Sequence, residues 1–422
     1  MEETCKRMLK RILNTSIYSV LSRGFITGTN LFIIYFISRN LNKEALGIYG
    51  IVFFFFQFFS AFSSMNLYLF FGKELAYKRG DKNKESDIFN EFFSATVIGS
   101  LVSLPLLSAG LFLYNKINSE LLFLSFFSGL LLGMEKNLGG MLLGKEKMNL
   151  EFISNFLSFI MIFISIILFP EKFYNIEQIF LLRILILIII VGFKLFLLRD
   201  MIRLKTIKIK LKFFREGKFY WFSSLSNLTI RQIDVLVLSF FIGKVLLGDY
   251  FLAVRIYLAF GILAEVISYA LTPFISRLFK GKEKKGFKEF SKQVLFIIVF
   301  LAFFSSVVLF FSRNLLLSVF NRAGNGNSSI YLIYFSIFIF FRFITYFTGI
   351  TLTSTGFQNI RFYINFLSSI LIIILDVSLG YFWGVEGVIM ARGIVELIMF
   401  IGSFYFFFKI IKNHEDGRGD PS

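Results

Sequence analysis

Apolar runs of about twenty residues recur along nearly the whole chain with only short polar stretches between them, and no other feature constrains its folding as strongly. A hydrocarbon layer of roughly 30 Å is crossed by about 20 residues of α-helix. Backbone in lipid must satisfy its own hydrogen bonds, so helices are the natural element for runs of this length. The alternating ten-residue pattern of a membrane β-barrel is absent. Of the 422 residues only 17% are charged, below the roughly 25% of soluble domains. The expected fold class is an all-α polytopic membrane protein of about twelve transmembrane helices.

Spans are expected at 12–38, 45–71, 89–114, 120–143, 150–169 and 176–198, and again at 218–242, 247–276, 290–311, 329–353, 360–382 and 386–408. This gives an N-terminal segment 1–11, a first lobe 12–198, a basic linker 199–217, a second lobe 218–408 and a tail 409–422. The first run is too long for a signal peptide and lacks a small-residue cleavage site, so it reads as a retained helix.

A net charge of +18 raises the question of a nucleic-acid partner, and the placement of the charges answers it. With both ends on one side, the N-terminus, the even-numbered loops and the tail hold about 30 of the 45 Lys and Arg, and the opposite loops about 7. The dense patches are Lys6 to Arg11, Lys73 to Lys84, Arg199 to Lys218 and Arg277 to Lys292. This is the positive-inside distribution. It expects a multi-pass protein of the cytoplasmic (inner) membrane with both termini cytoplasmic, and it accounts for the charge with no nucleic acid.

The same inventory narrows the chemistry. Cys5 is the single cysteine and His414 the single histidine, so an intramolecular disulfide, a Cys/His metal cluster and a Ser/His/Asp or Cys/His catalytic arrangement are all excluded. No Gly-rich phosphate loop stands between a strand and a helix. The expectation is a protein that is not an enzyme and has no cofactor or metal. External loops are too short to form a folded domain.

The chain also repeats itself. Leu46-Gly47-Ile48-Tyr49 opens the second span and Leu247-Gly248-Asp249-Tyr250 the eighth. Lys78-Arg79-Gly80-Asp81-Lys82 is matched by Phe279-Lys280-Gly281-Lys282-Glu283, and Asn155-Phe156-Leu157-Ser158 by Asn365-Phe366-Leu367-Ser368. Ile176-Glu177 with Arg183 is matched by Val385-Glu386 with Arg392. The shared order, at offsets of roughly 200 to 210 residues, marks a duplication. Six spans per half gives both halves the same orientation, an arrangement of transporters with the substrate site expected between the halves.

Ionisable residues at membrane depth are costly and usually face a cavity or a partner. Eight cations fall inside the expected spans: Arg23, Lys136, Arg183, Lys194, Arg231, Arg255, Arg342 and Arg392. Four have structural readings. Lys194 can snorkel from a cytoplasmic end, Lys136 adjoins Glu135, Arg392 has Glu396 one turn on, and Arg183 matches Arg392 in the repeat. The other four are candidates for substrate binding. Ser16, Ser19, Arg23, Thr27 and Asn30 share one face of the first span; Tyr220, Ser224, Asn227, Arg231 and Asp234 share one face of the equivalent seventh. Gln57, Ser60 and Ser64 line a face of the second. One reading is a hydrated cationic cavity that accepts an anion, phosphate suiting the arginine fork. The other is internal pairing, of Arg231 with Asp234 and of Arg255 or Arg342 with Glu265 or Asp376. Gly129/Gly133 and Gly380/Gly384 have small-residue packing spacing, and Pro273 is expected to bend or end the eighth helix.

The run Asp234 to Phe241, then Leu247-Gly248-Asp249-Tyr250, Ala253, Arg255 and Thr272-Pro273-Phe274-Ile275-Ser276-Arg277, resembles the seventh-to-eighth-helix signature of polysaccharide transporters. These are the Wzx-type, O-antigen flippase branch of the superfamily that includes multidrug (MATE) exporters. The run Gly356 to Gly387 resembles the same family. The resemblance implies a V-shaped, MATE-like carrier working by alternating access. Its implied substrate is an undecaprenyl-diphosphate-linked oligosaccharide destined for O-antigen, lipopolysaccharide or capsule. Its implied partners are membrane lipids and the polysaccharide polymerase machinery. The family's cavity arginines correspond loosely to Arg23 and Arg255. Span one carries no carboxylate, which counts against a cation-coupled multidrug exporter. That exporter, a membrane polysaccharide polymerase and a lipid scramblase are the alternatives; a polymerase is expected to carry a large external loop.

Overall fold

The computed structural model describes residues 2–78, 80–113, 118–202, 212–280, 284–320 and 327–415, and no strand occurs among them. The middle of the expected linker, 203–211, the end of the tail, 416–422, and part of the second repeat of the basic turn, 281–283, lie outside the described residues, as do the side chains of the segment 1–11. The helices are α1 (Glu2–Asn40), α2 (Lys43–Ser63), α3 (Tyr68–Lys78), α4 (Lys82–Leu113), α5 (Ser119–Gly144), α6 (Met148–Leu168), α7 (Ile176–Leu197), α8 (Lys212–Phe241), α9 (Lys244–Lys280), α10 (Lys284–Val319), α11 (Ser328–Ser354) and α12 (Gln358–Glu415).

Among the described residues, ten helices are long and apolar enough to cross a membrane. The last of them, α12, is two helices meeting at Gly384, whose φ of 56° and ψ of −129° are not helical. Helix α8 has 30 residues, enough to span by rise alone, but its polar stripe keeps it out of the ten. Counting α12 twice and adding α8 gives the expected spans in their expected order. The outward surface is apolar, as lipid requires: Phe112 is 83% exposed and Phe311 76%, values that would be costly in water.

Three local expectations need correction. The second span, expected to run unbroken over 45–71, breaks at 64–67, where Met65 and Asn66 take φ of 48° and 44°. Backbone freed inside a membrane must find partners, and here Asn137 Nδ2 donates to the Ser64 carbonyl at 2.8 Å. Of the two outcomes expected at Pro273, ending the helix is excluded, since α9 continues to Lys280. Gly384 forms the α12 kink rather than a packing contact, whereas Gly129 and Gly133 do pack. A Cβ at Gly129 would stand 2.8 Å from the Phe56 carbonyl oxygen, and one at Gly133 2.3 Å from Ser63 Oγ.

The repeat is visible in the turns. After α5, Glu146 takes a φ of 58°, and Lys147 N–H donates to the Leu142 carbonyl at 2.8 Å. After α11, Gly356 takes a φ of 92°, and Phe357 N–H donates to the Leu352 carbonyl at 2.9 Å. Both are left-handed helix stops.

The chain forms two compact units, Met1–Leu41 with Ile48–Leu228, and Asn42–Gly47 with Thr229–Ser422. The division falls inside α8.

Candidate functional site

In the first unit, Arg183 on α7 is buried. Its Nη2 donates to Asn30 Oδ1 on α1, and its guanidinium lies 4.7 Å from the centroid of the Phe56 ring. Asn30 Nδ2 donates back to the Ile26 carbonyl at 3.0 Å, so the amide is fixed at both ends. Arg23, two turns earlier on α1, is half-buried and partnered within the protein.

Lys194 does not snorkel. It is fully buried, its Nζ meeting Glu135 on α5 and lying 2.6 Å from Glu151 Oε2 on α6. Asn155 Nδ2 donates to Glu151 Oε1 at 3.2 Å and to Ser22 Oγ at 2.6 Å, which joins α1 to the cluster. Gly139 makes room for it, since a Cβ there would stand 2.6 Å from Glu151 Oε1. Glu135 is therefore committed to Lys194 and not to its chain neighbour. Lys136 turns to α2 instead, where Nζ donates to Gln57 Oε1 at 3.4 Å and Ser60 Oγ at 3.2 Å.

In the second unit, Arg392 on α12 does not pair with Glu396 one turn away. It meets Asp234 on α8, and both side chains are enclosed, at 1% and 0% exposure. Tyr250 OH on α9 donates to the same carboxylate. Glu396 instead takes Arg342 of α11, Nη1 to Oε1 at 2.5 Å, together with Tyr257 OH at 2.7 Å. Arg231 does not pair with Asp234, which Arg392 occupies. Its Nη2 donates to Glu265 Oε2 at 3.2 Å and to Tyr346 OH at 2.6 Å, and Arg342 Nη2 reaches the same hydroxyl at 3.5 Å. Arg255 Nη2 donates to Gln232 Oε1 at 3.4 Å, and its guanidinium lies 4.6 Å from the Phe251 ring centroid. Asp376 is fully buried, and neither carboxylate oxygen has a hydrogen-bond partner among the described residues.

The candidates therefore separate by environment. Arg342 and Asp234 are enclosed in ion pairs. Asn227 is turned onto its own helix, Nδ2 donating to the Ser223 carbonyl at 2.9 Å. Asn30 holds Arg183. Arg231 keeps 36% of its side chain exposed, and Arg23, Arg255 and Gln57 are half-buried. Sequence reasoning missed Tyr346, Glu151 and Asn155, which carry no signal in isolation. The pairing of Arg392 with Asp234 did have one: Arg183 and Arg392 are repeat equivalents, and Asn30 and Asp234 stand at nearly the same offset.

A model of the polysaccharide biosynthesis protein family matches residues 12–279, more than half of the chain, and a MatE family model matches residues 221–378. The capsular polysaccharide biosynthesis protein CapF of Staphylococcus aureus is 27% identical over 190 residues, 45% of this chain and 48% of that protein, so the match spans about half of the relative's length. Among solved structures, the MATE multidrug transporter DinF-BH aligns with a TM-score of 0.72 at 15% identity over 95% of each chain. An inward-facing MATE family transporter of the MOP superfamily aligns at 0.71 and 13% identity, over 95% of this chain and 96% of that one. A Pyrococcus furiosus MOP superfamily transporter described by the reverse polarity of its binding pocket aligns at 0.70 and 14% identity over 96% of each chain. At these identities the structural likenesses establish the fold.

Proposed function

Because this chain belongs to the polysaccharide biosynthesis protein family and has the MATE fold, we propose that it is a flippase. Its substrate is an undecaprenyl-diphosphate-linked oligosaccharide, moved from the cytoplasmic to the outer leaflet of the cytoplasmic membrane for surface polysaccharide synthesis. The observation that carries this reading is Arg231. It lies at membrane depth, keeps 36% of its side chain exposed, and engages protein with Nη2 alone among the described residues. A guanidinium so placed requires water or an anion beside it. Its free edge suits a phosphate, which accepts paired N–H donors.

In this reading Arg23, Arg231 and Arg255 face the diphosphate, Gln57 lines the same polar path, the hydroxyl-bearing stripes face sugar, and the isoprenoid tail stays among membrane lipids. Alternating access through this cationic cavity moves the headgroup across. Both termini are cytoplasmic, following the basic loops, and the product passes to the polysaccharide polymerase machinery. Arg342, Asp234 and Asn30 serve the cavity from behind by fixing the helices that carry it. The MatE match over 221–378 supports a second reading, a small-molecule exporter of the same fold; that reading calls for an acidic cavity, and here Glu265 stands against the half-buried cations Arg23, Arg231 and Arg255.

The test is deletion of the gene in its host. Surface polysaccharide should disappear while lipid-linked repeat units accumulate on the cytoplasmic side. Wild type should restore the glycan, and Arg231→Ala, Arg23→Ala and Arg255→Ala at matched protein levels should not. Normal glycan in a deletion strain with no redundant flippase sinks the proposal in favour of the exporter.

A further inference from the structure

Lys136 lacks the direct carboxylate contact that four other cations of the spans make among the described residues. Lys194 has two carboxylates, Arg342 has Glu396, Arg392 has Asp234 and Arg231 has Glu265. Arg183 is enclosed by Asn30 and the rings of Phe53, Phe56 and Phe180. Lys136 is half-buried, and among the described residues its partners are two neutral oxygens, Gln57 Oε1 at 3.4 Å and Ser60 Oγ at 3.2 Å. Charge-assisted hydrogen bonds usually close to about 2.7–2.9 Å, so both contacts are long for an ammonium. The ammonium has three N–H donors, and no described residue accepts the third. Glu135, adjacent in the chain, acts on it through space only, because consecutive helical residues project about 100° apart and Glu135 is hydrogen-bonded to Lys194.

The surroundings hold this arrangement rigidly. Close packing at Gly129 and Gly133, two turns and one turn before Lys136, brings α5 against α2. Helix α2 then breaks one turn after Ser60, and the break is pinned by Asn137 Nδ2 donating to the Ser64 carbonyl and by Asn66 Nδ2 donating to Ser224 Oγ at 2.5 Å. Interrupted helices in transporters mark binding sites. Lys136 lies about 12 Å by helix rise from the Gly144 end of α5, well inside the span.

We propose that Lys136, with Gln57 and Ser60, is an anion-binding site of the first unit that takes a phosphate or diphosphate group. The anion supplies the direct charged contact that no described carboxylate makes, accepting from Nζ and from Ser60 Oγ–H, with the Gln57 amide turned to donate. Its identity as a lipid headgroup rests on the flippase reading; the existence of the site does not.

The test measures binding of inorganic pyrophosphate, and of undecaprenyl diphosphate, to the full-length protein in phosphatidylcholine nanodiscs. Lys136→Gln should weaken both by about tenfold or more, equivalent to one lost charged contact. Lys136→Arg should retain binding within about threefold. Gln57→Glu gives an independent answer if Lys136→Gln fails to fold: it keeps the lysine, supplies an internal counter-ion, and should weaken pyrophosphate binding by about tenfold or more. Wild-type affinity in Lys136→Gln or in Gln57→Glu overturns the site, as does a wild type that binds neither probe. A wild type that binds pyrophosphate in a Lys136-dependent way but not the lipid upholds the site and removes the lipid-linked substrate.

Discussion

Arg392 grips Asp234 where its repeat equivalent, Arg183, grips the neutral Asn30. The surrounding rings correspond as well: Tyr250 and Tyr257 beside Arg392 match Tyr49 and Phe56 beside Arg183. One half thus uses a buried ion pair at a joint between its first and last spans, and the other uses a charge–amide contact.

That difference sets the cost of breaking each joint. Removing one partner of a buried ion pair leaves an uncompensated charge, typically costing about 3–5 kcal/mol. Losing a hydrogen bond to a charged group costs roughly 1.5–3 kcal/mol. Asp234→Ala should therefore lower stability in detergent clearly more than Asn30→Ala, and Asp234→Ala with Arg392→Leu should recover much of the loss. Equal losses for the two single variants would contradict the assignment.

Asp376 is expected to behave in the opposite way. It is fully buried without a hydrogen-bond partner among the described residues, where a neutral amide is less costly than an unbonded carboxylate. Asp376→Asn should leave the melting temperature unchanged or raise it. A marked fall would mean that the carboxylate is needed where it stands.

Glu265 competes with any anion for Arg231, at 3.2 Å and 17% exposure. Glu265→Gln should tighten binding of an undecaprenyl diphosphate lipid by about three- to tenfold, the scale of an incompletely buried pair. Arg231→Lys should bind more weakly than wild type, because an ammonium lacks the planar fork. Titrations in nanodiscs report both effects, and unchanged affinity in Glu265→Gln would remove Glu265 as a competitor.

Glu146 and Gly356 occupy the same turn in the two halves, with φ of 58° and 92°. A side chain in the left-handed region costs about 1–2 kcal/mol, partly offset by the greater freedom of glycine when unfolded. Glu146→Gly should stabilise by up to about 1 kcal/mol, and Gly356→Ala should destabilise by a similar amount. Thermal melts of the two variants moving in the same direction would contradict this account.

The positions of the helices were legible in the sequence because length and apolarity decide them locally. The partners of the buried charges were not. An arginine one turn from a glutamate suggests a pair along one helix, yet Arg392 and Glu396 each take a partner from another helix. Reach across a packed interface depends on which helices adjoin, and spacing along the chain does not encode that. The break at 64–67 was hidden for a related reason: Ser64, Met65, Asn66 and Leu67 are compatible with a continuing helix, and what favours the break is Asn137, distant in sequence. The repeat was the one long-range signal available, and it points to the Arg392–Asp234 joint through Arg183 and Asn30.

The Lys194 cluster also has an order in time. A chain made from its N-terminus presents Glu135 on α5 first, then Glu151 on α6, and Lys194 on α7 only afterwards. Placing a lysine at membrane depth is expensive for an isolated helix, but this one arrives after both of its counter-ions have been synthesised. A nascent chain halted before Ile176 carries both carboxylates of the cluster without the lysine that bridges them, so the cluster closes only when the sixth span enters the bilayer.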